Sequence, residues 1–83
     1  MTGDLQQAVG KNLRAHRESR QLSQEAFAEL LGVHRTYMGA IERGERNLTL
    51  QSVERLADRL GMEPVELLRS GRSDVDRRRR RRR

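Results

Sequence analysis

Apolar residues recur at intervals of three and four along most of this sequence, in short blocks that mostly stop at a glycine, and they do not alternate with period two. A chain patterned this way buries one stripe on each of several short helices, so the class is all-α and five helices are expected. The first runs from Leu5 to about Arg20 on Leu5, Ala8, Val9 and Leu13, with Gly10 as a weak point inside it. Ser23, ahead of Gln24, Glu25 and Ala26, suits an N-cap, and Glu25 complements the positive end of a helix that continues to Leu31. Gly32 can take the left-handed conformation of a tight turn. A third helix after Val33 reaches Arg43, burying Met38, Ile41 and part of Tyr37, and Gly44 closes it. Beyond the loop Gly44-Glu45-Arg46-Asn47-Leu48, Thr49 caps a fourth helix built on Leu50, Val53, Leu56, Ala57 and Leu60, ending at Gly61. Pro64 fits the first turn of a last short helix whose apolar residues are Val65, Leu67 and Leu68.

Charge looks at first like the dominant feature, with 18 Lys and Arg against 12 Asp and Glu and a net of +6 over 83 residues. The seven arginines of Arg77–Arg83 supply that excess: without them 11 basic residues face 12 acidic ones, a net of −1. Function therefore has to follow from where single charges sit. From Gly71 the composition is polar and then purely basic, so residues 71–83 are expected to be a disordered tail and residues 1–70 a folded domain. Like charges in the tail could add nonspecific affinity for nucleic acid through counterion release. The skew of 17 arginines to one lysine is read as genomic composition bias. An apolar content of 34% in so short a chain makes a small core, and association with a second copy is a natural way to support it. No stretch approaches the ~20 apolar residues of a membrane span, and the N-terminus lacks a secretory signal, so the cytoplasm is the expected compartment and no membrane partner is expected.

Residues 24–43 carry the functional signal. Two helices crossing steeply over a short turn need a small residue where they approach, a turn residue tolerant of positive φ, and apolar inner faces. Ala28, Gly32, and Phe27, Leu31, Val33, Met38 and Ile41 meet these needs in turn. An ordinary helix pair in a bundle would satisfy the same steric conditions. The polar start of the third helix, His34-Arg35-Thr36, separates the two readings: arginine can make a bidentate contact to guanine, and the threonine methyl can pack on a thymine methyl. This is the pattern of a helix-turn-helix whose second helix enters the DNA major groove.

With Leu22-Ser23-Gln24-Glu25, Ala28, Leu31-Gly32-Val33, Ile41-Glu42-Arg43-Gly44, Leu56-Ala57 and Leu60-Gly61, the chain from about Gly10 to Leu68 resembles the lambda-repressor-like, Cro-type (XRE-like) helix-turn-helix transcriptional regulators. Arg35-Thr36-Tyr37, Ile41-Glu42-Arg43 and Arg46-Asn47-Leu48-Thr49 further resemble the controller proteins of restriction-modification systems. The resemblance implies that Gln24 hydrogen-bonds a DNA phosphate, with Ser23 a further DNA-binding residue, that Arg35 and Thr36 are the main base readers, and that Tyr37 and Arg43 lie near the backbone. It places Arg46 and Asn47 at phosphate or the groove edge, and pairs Arg17 with Glu42 to tie the recognition helix to the scaffold. His34 stands where such proteins more often have Ser or Thr, and Gly39 and Ala40 stand where many carry polar base contacts.

The expected function is thus a homodimeric regulator on a palindromic operator in double-stranded DNA, with a possible role as an autoregulatory restriction-modification controller. Met62, Val65, Leu67 and Leu68 are the expected dimer interface, being more apolar residues than a short terminal helix can bury on its own. Bound over a promoter such a protein blocks polymerase; bound just upstream it could recruit RNA polymerase as a further partner. No small-molecule ligand is expected, the chain leaving no room for a sensing domain. An antitoxin or adaptor on the same fold is the rival reading, although residues 69–83 offer almost no apolar stretch for a protein partner. A peptide that binds membrane or RNA through the arginine run is a weaker third. His16 and His34 without cysteine form no zinc spacing, Glu25 and Glu29 fit a solvated face, and no nucleophile, phosphate loop or cofactor signature is visible. Neither catalysis nor a cofactor or metal is therefore expected.

Overall fold

A computed structural model describes residues 3–69, and the expected tail at 71–83 lies outside them. Five helices follow one another: α1 Gly3–Ser19, α2 Gln24–Leu31, α3 Arg35–Glu42, α4 Leu50–Leu60 and α5 Pro64–Leu68. α1 lies against α3 and α5, α2 against α3 and α4, and α4 against α5. Phe27, Leu13, Met38, Ile41, Leu48, Leu67, Val9 and Val53 fill the space between them. Each helix places an apolar stripe on this common core, with its polar side outward.

The boundaries follow from caps. Ser23 Oγ accepts from Ala26 N at 3.1 Å, and Thr49 Oγ1 accepts from Ser52 N at 3.0 Å. His34 occupies the N-cap of α3 by an unusual route, its Nδ1 accepting from Thr36 N at 3.1 Å. A histidine thus does the work of the expected serine or threonine, and α3 starts one residue later than His34. At the other end of α2, Gly32 sits at φ +75°, and Val33 N donates back to Ala28 O at 2.9 Å, closing the helix with the turn geometry that a left-handed residue permits. Ala28 is buried at this corner, as its small size requires.

Four residues depart from the expected core. Leu5 is exposed, and so is Leu50, at 62%, because it follows the Thr49 cap on the outer side of α4. Leu48, read only as a loop residue, is buried and plugs the core between α3 and α4. Leu67, expected at a dimer interface, is fully buried within the single chain, so α5 spends that side chain on the core. Gly10 also has a use that its helix propensity hides. A Cβ there would overlap the Ile41 carbonyl oxygen and lie 3.0 Å from the Glu42 carbonyl, so α1 and α3 cross in contact at this glycine.

Candidate nucleic-acid interface

The interface is built around one buried carboxylate. Glu42, at the last turn of α3, has a side chain only 3% exposed. Arg17 of α1 donates to it twice, Nε to Oε2 at 2.8 Å and Nη2 to Oε1 at 3.1 Å, in the planar two-pronged geometry that arginine makes with a carboxylate. The remaining Arg17 nitrogen, Nη1, donates to Leu22 O at 3.0 Å and so holds the turn into α2. Gln24, the first residue of α2, donates from Nε2 to Glu42 Oε1 at 3.0 Å. Three helices are therefore locked at one point. The hydrogen bond to Glu42 raises the Arg17 pKa above its ordinary value, against the opposing effect of burial, with Coulombic support from Glu42 and Glu18.

Held this way, α3 turns Met38 and Ile41 to the core and leaves the opposite side open. Arg35, Thr36, Ala40 and Arg43 share that side by their helical spacing, with Arg35, Thr36 and Arg43 exposed, while Gly39 at its flank is buried. Arg43 Nε pairs with Glu45 Oε1 at 3.0 Å on the surface. Beyond the end of α3, the Arg46 guanidinium lies over the Tyr37 ring, 4.8 Å from its centre. This contact fixes the edge of the surface and presents a cation beside it. Asn47 is exposed next to Arg46, and Ser23 and Gln24 stand at the positive end of α2 on the near side.

Residues 8–70 match the helix-turn-helix domain family. The controller protein C.SmaI of Serratia marcescens is 43% identical over 65 residues, covering 78% of this chain and 77% of its own length. Among solved structures, the hypothetical transcription factor NHTF from Neisseria superposes with a TM-score of 0.78 at 33% identity, covering 88% of this chain and 84% of that one. The restriction-modification controller protein C.AhdI from Aeromonas hydrophila gives 0.65 at 44% identity, covering 75% and 94%. The chain belongs to the helix-turn-helix family. It is an XRE-like member, a DNA-binding regulator by family, and it resembles restriction-modification controllers as its sequence motifs imply.

In this helix-turn-helix protein the nine residues expected at DNA lie at the start of α2 (Ser23, Gln24), along α3 and its ends (His34, Arg35, Thr36, Tyr37, Arg43) and in the loop after it (Arg46, Asn47). Several already have partners within the chain: Ser23 Oγ and His34 Nδ1 at their caps, one Gln24 N–H on Glu42, Arg43 on Glu45, and Arg46 over Tyr37. The four residues expected to form a dimer surface do not stay together. Val65 is 55% exposed, Met62 and Leu68 are half-buried against the core, and Leu67 is inside it.

Two polar residues of α1 were not found by sequence reasoning. Gln6 Nε2 donates to Gly44 O at 2.7 Å and so steadies the start of the loop that carries Arg46. Asn12 Nδ2 reaches the carbonyls of Leu67 at 2.8 Å, Arg69 at 2.6 Å and Glu66 at 3.4 Å, binding the C-terminal end of α5 to α1. Their partners lie 38 to 57 residues away, so no local signal marks them. Among the described residues no cluster of three His, Cys, Asp or Glu could hold a metal, and no helix is long and apolar enough to cross a membrane.

Proposed function

We propose that this chain acts as a homodimer on a palindromic operator, reading the major groove with α3, and that it regulates its own gene as a restriction-modification controller. The observation that carries this reading is the division of α3: Met38 and Ile41 anchor it to the core while Arg35, Thr36 and Arg43 stand clear on the other side. Arg35 reads a guanine through O6 and N7, and Thr36 packs on a thymine methyl. Tyr37, Arg43, Arg46 and Asn47 follow the backbone and fix the register of α3 in the groove. The dimer forms through α5 and the end of α4, with Val65 at its centre and Met62 and Leu68 at its edge. A two-fold pair of this kind sets its recognition helices about 34–36 Å apart, one turn of DNA. Occupancy over a promoter excludes RNA polymerase, and occupancy just upstream brings it in.

Selection of bound sites from random DNA tests the reading. The wild type is expected to enrich an inverted repeat. Arg35→Ala is expected to lose about 1–3 kcal/mol of discrimination at one guanine in each half-site, with the other positions retained. Enrichment of no sequence by the wild type, or an unchanged logo for Arg35→Ala, would refute it.

A further inference from the structure

The helix-turn-helix corner and α4 form a groove of about 760 Å³. Leu31, Val33 and Leu56 are its apolar part, Tyr37 of α3 lines it, and α4 gives it Arg55 and Arg59, one turn apart. Like charges at this spacing repel each other along a helix. The two arginines have different surroundings. Arg59 lies against the corner: a Cβ on Gly32 would be 3.1 Å from its Nη2 and 3.3 Å from its Cζ. Gly32 is the C-cap of α2, at the negative end of that helix dipole, so Arg59 has a use within the fold. Arg55 is exposed, and the ion pairs among the described residues take Arg14, Arg17 and Arg43 and leave it out. Glu54 and Asp58 also line the groove, but helical spacing turns them farther from Leu56 than Arg55 is, onto the outer edge. An anion is repelled at that edge, and its open approach is the one along Tyr37.

Tyr37 joins this groove to the α3 surface. Its ring carries the guanidinium of Arg46, from the loop that leads into α4, and the same residue lines the groove. A DNA strand that follows Arg46 and Tyr37 has its next phosphates in front of α4. We propose that Arg55 is a further DNA-binding residue, a cation on α4 that holds a backbone phosphate of the operator outside the segment that α3 reads. This rests on the assignment of α3 as the recognition helix. A phosphate asks only for positive charge and N–H donors, and arginine supplies both at the end of a long side chain. Such a contact carries no sequence information, so Arg55 adds affinity and fixes the register of α3 without reading a base. An acidic protein segment laid along the groove is the rival anion, but it meets Glu54 and Asp58 over its whole length, whereas a strand arriving past Tyr37 meets Arg55 from the inner side.

Binding to the selected operator over a salt series, with ethylation interference on the same DNA, tests this. The wild type is expected to show one interfering phosphate in each half-site that Arg55→Gln no longer shows, with the selected bases unchanged. The slope of log K against log salt concentration should become shallower by about 0.9 for each phosphate lost, or about 1.8 for a dimer. Arg55 is exposed, so the urea midpoint of Arg55→Gln should match that of the wild type. Lys11→Gln removes the same charge from the exposed side of α1 and should leave the slope and the interfering phosphates as they are. Arg55→Gln retaining every interfering phosphate overturns the assignment. So does a Lys11→Gln slope as shallow as that of Arg55→Gln, which makes the effect one of overall charge. A wild type that selects no operator overturns the DNA-reading role of α3 and this inference with it.

Discussion

Single residues in this protein act through what they touch across the fold. Glu42 is the clearest case, since removing its carboxylate strands the Arg17 guanidinium, 15% exposed, and frees Gln24 in the same step. Loss of one partner of a buried pair costs about 3–5 kcal/mol. Glu42→Ala is therefore expected to lower the midpoint of urea unfolding sharply, and equal midpoints would contradict a structural role for the pair. On the alkaline side the sign is fixed by the raised Arg17 pKa: the contribution is complete below the ordinary arginine value and is lost only as pH climbs through the higher folded one. Gly10 shows two effects in competition. Alanine gains about 0.5–1 kcal/mol of helix stability over glycine, yet its Cβ would overlap the Ile41 backbone, which cannot rotate aside. Overpacking of this kind costs about 1–3 kcal/mol, so Gly10→Ala is expected to destabilise in the same unfolding assay.

At the scale of elements, the turn between α1 and α2 carries a cost that a substitution can remove. Gln21 sits at φ +59°, with Leu22 N donating to Arg17 O at 3.2 Å, the same closure that Gly32 makes after α2. The left-handed region costs a residue with a Cβ about 1–2 kcal/mol, and glycine loses about 0.5–1 kcal/mol of that gain through its freer unfolded chain. Gln21→Gly is expected to raise the melting temperature slightly, by about 0.5–1 kcal/mol in stability; a fall would show that the Gln21 side chain matters more than its backbone. Elements like these were legible from sequence because their determinants are local: Ser23, Thr49, Pro64 and the glycines act on neighbours within one turn. The helix-turn-helix corner was legible for the same reason, Ala28 and Gly32 lying inside one short segment. The exposure of Leu50 and the burial of Leu48 and Leu67 were not, because helical spacing gives the stripe but not which end of it another helix covers. Gln6 and Asn12 were hidden more deeply, as their acceptors are backbone carbonyls of loops and helix ends that any sequence would supply.

Across the whole molecule, the proposed dimer depends on what α5 has left to offer once Leu67 is in the core. Val65 is its exposed apolar residue and Leu67 its internal one, so the two should respond oppositely. Val65→Asp is expected to leave the unfolding midpoint near that of the wild-type monomer while shifting sedimentation toward the monomer. Leu67→Ala should cost about 2–5 kcal/mol of stability outright. Should Val65→Asp sediment as the wild type does, the interface lies elsewhere. The charge of the chain takes its meaning at this scale too: with Arg77–Arg83 set aside the net charge is −1, so the proposed recognition rests on where Arg35, Thr36, Arg43 and Arg46 stand and not on bulk basicity. The most direct test of that claim is a methylation-interference footprint of the wild type on its selected operator. Guanine N7 methylation is expected to block binding in two major-groove patches about 10–10.5 base pairs apart, and Arg35→Ala should lose one interfering guanine from each. A single patch, or a pattern unchanged by Arg35→Ala, would contradict a dimer that reads DNA with α3.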